Sequence, residues 1–160
     1  MDHISLRPIG TIHSPFKKIE GMPIQPSAAK GIKGHIIIRE DFVEGLCDLD
    51  GFSHIYLLYY FHLSNSYTLK VIPFLDNEHH GVFSTRAAKR PNPIGLSVVK
   101  LNKIKLNVLH IENVDIIDGT PLLDIKPYVQ EMDEISQYKL GWLSKYMKDL
   151  NQKNSDTRFK

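Results

Sequence analysis

A chain of 160 residues, 42% hydrophobic and 24% charged, has the make-up of one globular domain with a core of its own. Its 20 basic and 18 acidic side chains leave a net charge of +2, which excludes a protein that coats nucleic acid by bulk charge; any RNA contact needs a local patch. Cys47 stands alone, which excludes an intrachain disulfide and a cysteine-built zinc site.

The opening MDHISLRPIG has no apolar leader, and the longest apolar stretch, residues 55–61, is far shorter than the ~20 residues of a membrane helix. With the unpaired cysteine, this predicts a cytoplasmic protein with no membrane segment. Residues 1–150 read as a single domain and residues 151–160 as a polar, flexible tail.

In chain order, short runs rich in Ile, Val and Tyr alternate with Gly, Pro, Asn and Asp. They predict strands at 9–13, 35–38, 54–61, 69–73, 82–85, 97–104, 108–116 and 122–127. Residues 97–104 and 106–114 read as an antiparallel hairpin bending near Asn102, Lys105 and Asn107. Such strands must close into a barrel or sandwich to hide their edges, so the fold class is mainly β, a small closed barrel. Two helices are predicted: a short one at 40–49, with Cys47 packed inward as an inert thiol, and a C-terminal one at 133–151 with a broad apolar face. Residues 17–33 carry Gly21, Pro23, Pro26 and Gly31 and read as a long surface loop. No βαβ alternation, GxGxxG, GxxxxGK[ST] or GxSxG occurs, which argues against a Rossmann domain, a standard phosphate loop and a serine nucleophile.

Three segments carry chemistry. In GVFSTRAAKRPNPIG, residues 81–95, Pro91, Pro93 and Gly95 stiffen a turn from which Arg86, Lys89 and Arg90 project, able to hold phosphate, carboxylate or a base edge. In DIIDGTPLLDIKPY, residues 115–128, Asp118, Gly119, Thr120 and Pro121 form a turn, and Asp124 and Lys126 share a strand face as an ion pair. The histidines come third: His62 at a strand end lining a pocket, and His79 and His80 in an exposed loop. Their spacings match no metal motif, so no metal site is expected.

The blocks PIGTIHSPF (8–16), PIQP (23–26), GFSHIYLLYYFH (51–62), GVFSTRAAKRPNPIGLSVVKL (81–101) and DGTPLLDIKPY (118–128) together resemble the TrmO/TsaA family, in the same order. The resemblance implies a small β-barrel that binds S-adenosylmethionine, as a homodimer, and methylates N6 of threonylcarbamoyladenosine at position 37 of threonine tRNA. It implies cofactor contacts at Pro23, Ile24, Gln25, His62, Leu63, Arg86, Leu96, Asp118, Gly119, Thr120 and Pro121. Lys89, Arg90, Lys126, Lys30 and Lys33 fall to tRNA contact, and Asp124 or His62 to the catalytic base. Aromatic residues, from Tyr59, Phe61 and Phe83, are candidates to face the sulfonium. Ile24 stands where the family commonly has arginine and Leu63 where it has glutamine, and the bacterial C-terminal extension is expected to be missing. The alternatives are a methyltransferase of the same fold with a non-tRNA acceptor, or a binding module without catalysis.

Overall fold

The computed structural model describes residues 3–24, 26–147 and 155–156. Six strands close a barrel in the order β1-β2-β7-β6-β3-β8: β1 Gly10–His13, β2 Lys33–Ile38, β3 His54–Tyr60, β6 Ile94–Lys105, β7 Val108–Glu112 and β8 Thr120–Pro127. Every pairing is antiparallel, including the closing one between β1 and β8. A separate two-stranded ribbon joins β4 Lys70–Val71 to β5 His80–Gly81.

The barrel forms because side chains two apart fall on one face of a strand. Ile12, Ile36, Ile38, Ile55, Leu57, Val99, Leu109, Ile111 and Leu122 alternate along six strands and meet in one core. Each buried aliphatic side chain contributes on the order of 1.5–3 kcal/mol, which offsets chain ordering. Closure leaves the barrel itself no open edge. At Leu58/Tyr59 the β3–β8 register slips by one residue, bending β8 as it passes β3.

Strand directions give the barrel two different ends. At one end lie Gly10, Ile38, His54 and Pro127, covered by the segment 40–52, whose Phe42, Val43, Leu46 and Leu49 pack against the core. At the other end lie His13, Lys33, Tyr60, Ile94, Glu112 and Thr120, together with the loops that follow or precede them.

The strand and hairpin expectations hold for all six barrel strands, with shifted ends. Elsewhere the structure corrects them. Residues 82–85 are no strand: Val82–Ser84 is a 3-10 turn, in which the Ser84 and Thr85 hydroxyls donate to the carbonyls of Gly81 and Val82 and compete with a ladder. The helix expected at 40–49 is 3-10, Glu40–Leu46, followed by Leu49–Gly51. With three residues per turn, Val43 and Leu46 fall in one row against the barrel; the helix ends there, and Cys47 is an extended cap residue, exposed rather than packed inward.

The helix expected at 133–151 is absent among the described residues. Gln130–Asp133 is one α-turn and Gly141–Lys145 a 3-10 turn, with the residues between exposed; residues 148–151 lie outside the described ones. Gly141 has φ 57, a left-handed conformation incompatible with a continuous helix. Trp142 and Tyr146 instead serve the ribbon. The Trp142 indole donates to the Ser84 carbonyl at 2.9 Å and stacks on His80 at 4.3 Å, and the Tyr146 hydroxyl donates to Asp76 at 2.9 Å. His80 is therefore no exposed loop residue: it is half-buried and shares a 2.9 Å hydrogen bond with Asp76. Of the tail, Ser155 and Asp156 are described; Ser155 is buried and exchanges backbone hydrogen bonds with Gly21 and Met22 in the long loop.

Candidate functional site

The end of the barrel away from the 40–52 segment gathers the chemistry. β3 runs out into His62 and Leu63, and the Phe61 N–H donates to the Pro93 carbonyl at 2.8 Å, bringing the loop 85–93 back beside it. The Ser64 hydroxyl donates to the Ala88 carbonyl at 3.1 Å and fastens the same loop. β6 then begins at Ile94, directly after Pro93, with Leu96 pointing outward and 50% exposed, as Leu63 is. Two large aliphatic side chains left half in water at one barrel mouth are a surface suited to an apolar ligand face.

The turn 118–121 closes the other side of the mouth. Asp118 N–H donates to the Phe16 carbonyl and Gly119 N–H to the Ile12 carbonyl. The Asp118 carboxylate accepts from Lys17 Nζ at 2.6 Å and Ser14 N at 3.1 Å, and lies 3.2 Å from His13 Nδ1. These donors, Lys17 first, hold its carboxyl down at about 2 despite desolvation. It is an anchored anion that fixes the turn. Thr120, wholly buried, donates to the Ile117 carbonyl and sits 3.4 Å from His62 Nδ1. That contact joins the end of β3 to the start of β8.

A polar chain, buried at Tyr59 and Ser97 and half-buried at Asp115, runs up to the mouth, and the sequence did not single it out. Ser97 Oγ donates to Asp115 Oδ1 at 2.8 Å, and the Tyr59 hydroxyl lies 3.1 Å from Ser97 Oγ. Because the serine proton goes to the carboxylate, Tyr59 is the donor to Ser97. Desolvation pushes the Asp115 carboxyl up to about 6, opposed by Ser97 and by the positive charge of Arg86. Desolvation, with the Asp115 charge beside it, also raises the Tyr59 phenol. The signal in the sequence was a carboxylate inside the apolar alternation Val114-Asp115-Ile116 and a serine at an inward-facing β6 position.

Among the expected site residues, His62, Thr120, Asp118, Gly119 and Pro121 meet at this mouth, with Leu63 and Leu96 at its surface and Arg86 exposed within electrostatic reach of Asp115 and Tyr59. Pro23 is buried and Ile24 half-buried in the loop to which Ser155 docks; Gln25 lies outside the described residues. Lys30 and Lys33 are exposed on the segment whose Gly31 and Ile32 bond to Asn113 and Val114, just ahead of Asp115. Lys89 is half-buried in the 85–93 loop, and the Arg90 guanidinium donates to the carbonyls of Thr85 and Ala87, bracing that loop from within.

Asp124 and Lys126 form the expected ion pair, 3.0 Å apart, but toward the opposite end. Asp124 is four residues along β8 from Thr120, about 13 Å at strand rise, and lines a groove with Ile9, Phe42, Cys47 and Phe52. Of the three aromatic candidates, Tyr59 and Phe61 pack edge to face at 5.4 Å, whereas Phe83 is 75% exposed on its 3-10 turn, away from the barrel core. Among the described residues, no three His, Cys, Asp or Glu side chains are arranged to hold a metal ion, and no helix is long and apolar enough to cross a membrane.

The family model for the tRNA-methyltransferase O N-terminal domain matches residues 11–134, which takes in the whole barrel. The chain belongs to the TrmO family. A Pyrococcus abyssi relative, named a probable S-adenosyl-L-methionine-binding protein, is 53% identical over 156 residues, covering 98% of this chain and 85% of the relative. A mouse relative named tRNA (adenine(37)-N6)-methyltransferase is 41% identical over 133 residues, covering 79% of this chain but 31% of the relative. The crystal structure of TrmO from Pseudomonas aeruginosa superposes with a TM-score of 0.74 at 38% identity, covering 89% of this chain and 63% of that one. The chain thus spans most of the Pyrococcus relative and about a third to two thirds of the longer ones.

Proposed function

We propose that the protein is an S-adenosylmethionine-dependent methyltransferase that modifies N6 of threonylcarbamoyladenosine at position 37 of threonine tRNA. The observation that carries this reading is the meeting of His62, Leu63, Arg86, Leu96 and the 118–121 turn, from four separated stretches of sequence, at one barrel mouth. The names of the archaeal and mammalian relatives support the cofactor and the acceptor class respectively.

The residues at the mouth fit the cofactor's chemistry. Leu63 and Leu96 offer apolar faces to its adenine, Arg86 an exposed guanidinium to its carboxylate, and His62, held against the buried Thr120, a polar edge. Asp118, spent on Lys17 and Ser14, holds the turn that presents them. When bound, S-adenosylmethionine supplies an electrophilic methyl group. The protein's contribution is to hold the acceptor nitrogen in line with it and exclude water. Lys30, Lys33 and Lys89 are assigned to the RNA backbone. The outward apolar pair Tyr60 and Ile94 on the paired β3 and β6 is assigned to a homodimer contact. Cytoplasmic location is part of the same proposal.

Incubation of the protein and S-adenosylmethionine with threonine tRNA bearing threonylcarbamoyladenosine, followed by nucleoside mass spectrometry, should show one added methyl group on that nucleoside. An unmodified nucleoside at saturating cofactor would overturn the acceptor and leave a cofactor-binding barrel.

A further inference from the structure

We infer that Asp115 is the proton acceptor for the methylated nitrogen, with Ser97 and Tyr59 as the positioning residues that hold its carboxylate at the barrel mouth. This rests on the acceptor proposed above. The nitrogen in question bears a carbonyl substituent and an aromatic ring, so its lone pair is delocalised and the N–H must be removed for it to attack well. In the step, the N–H proton passes to an Asp115 carboxylate oxygen and nitrogen bonds to the methyl carbon. The methyl–sulfur electron pair stays on sulfur, giving S-adenosylhomocysteine.

The placement of the protein's own groups selects Asp115. It follows Val114 in the loop that leads to the 118–121 turn; its partner Ser97 is the neighbour of Leu96, and Arg86 acts on it from the 85–93 loop. Of the other two carboxylates on this stretch, Asp118 already accepts from Lys17 and Ser14 and is held in its charged form, and Asp124 lies toward the 40–52 end, paired with Lys126. His62 Nδ1 is turned to Thr120. Among the described residues the Asp115 carboxylate accepts from the Ser97 hydroxyl and from its own backbone N–H, which leaves lone pairs for a new proton. The chain beneath is rigid: Tyr59 lies against Gly95, where an added Cβ would stand 2.2 Å from its ring, so the phenol has one place to go.

The charged and titratable groups acting on Asp115 are Arg86 from the 85–93 loop and Tyr59 from β3. Burial sets the carboxyl at about 6, which keeps it ionised at neutral pH yet more basic than an ordinary aspartate.

Three measurements on wild type, Asp115→Asn and Asp115→Glu test the assignment: calorimetric S-adenosylmethionine binding, carboxyl-carbon NMR titration, and single-turnover methyl transfer to the threonylcarbamoyladenosine tRNA from pH 5 to 9. Wild type should show an Asp115 midpoint near 6 and a transfer rate that rises through the same pH to a plateau. Asp115→Asn should bind the cofactor within about threefold of wild type, lose about 100-fold or more in transfer and lose the acid limb; Asp115→Glu should restore part of the rate. An Asp115→Asn variant within a few-fold of wild-type rate, or with the acid limb intact, overturns the assignment while leaving the acceptor in place. A wild type that binds the cofactor but methylates nothing on this tRNA overturns the acceptor and the proton-transfer role with it.

Discussion

Gly95→Ala should destabilise the protein by about 3 kcal/mol, lowering Tm by roughly 6–12 °C for a domain of this size. A Cβ at this position stands 2.2, 2.4 and 2.8 Å from three carbons of the Tyr59 ring. The ring cannot swing away, because it is buried, packs edge to face on Phe61, and has its hydroxyl committed to Ser97. The requirement for glycine is steric crowding by a neighbouring strand: Tyr59 and Gly95 are direct partners in the β3–β6 ladder. Differential scanning calorimetry of a double-mutant cycle checks it. With Tyr59→Ala already in place, adding Gly95→Ala should cost almost nothing, whereas additive losses would show that the ring is not what the methyl group meets.

Arg86→Ala should weaken S-adenosylmethionine binding by about 10- to 100-fold, the range for removing a charge-assisted hydrogen bond to a carboxylate, with Tm within 1–2 °C of wild type, roughly what an exposed substitution produces. Arg86 is exposed and acts on Asp115 and Tyr59 through its charge, so its truncation removes a ligand contact and leaves the core packed. Isothermal calorimetry and a thermal melt on the same sample separate the two effects. Unchanged affinity would take Arg86 out of the cofactor site.

The barrel was legible because period-two alternation is a property of each strand alone. Ile36/Ile38, Ile55/Leu57 and Leu109/Ile111 declare their inward faces without knowledge of their partners. The C-terminal segment was misread for the opposite reason. Its apolar residues recur at helical spacing, but Trp142 and Tyr146 are spent singly on Ser84, His80 and Asp76, 58 to 70 residues away in sequence for the two hydrogen bonds, and Gly141 turns the chain left-handed just ahead of Trp142. Cys47 was misplaced because the helix expected to carry it ends at Leu46, leaving Cys47 as an extended, exposed cap residue.

At the site, the turn 118–121 and the stiff loop 85–93 announced themselves by composition. Two placements did not. Asp124 and Lys126 share a face as period two requires, yet only closure of the barrel reveals that this face looks toward the 40–52 segment. Asp115 and Ser97 are single polar residues in apolar runs, and their hydrogen bond spans 18 residues of sequence. What makes them a unit is the desolvation they share with Tyr59, a property of the assembled barrel.

The mouth formed by the end of β3, the start of β6 and the stretch 113–121 is the proposed S-adenosylmethionine site. Amide hydrogen exchange with and without saturating S-adenosylmethionine tests it directly. Protection should rise across residues 61–63, 94–97 and 115–121, with residues 40–52 unchanged; protection confined to residues 40–52 would place the ligand at the opposite end of the barrel and rule out this mouth as its site.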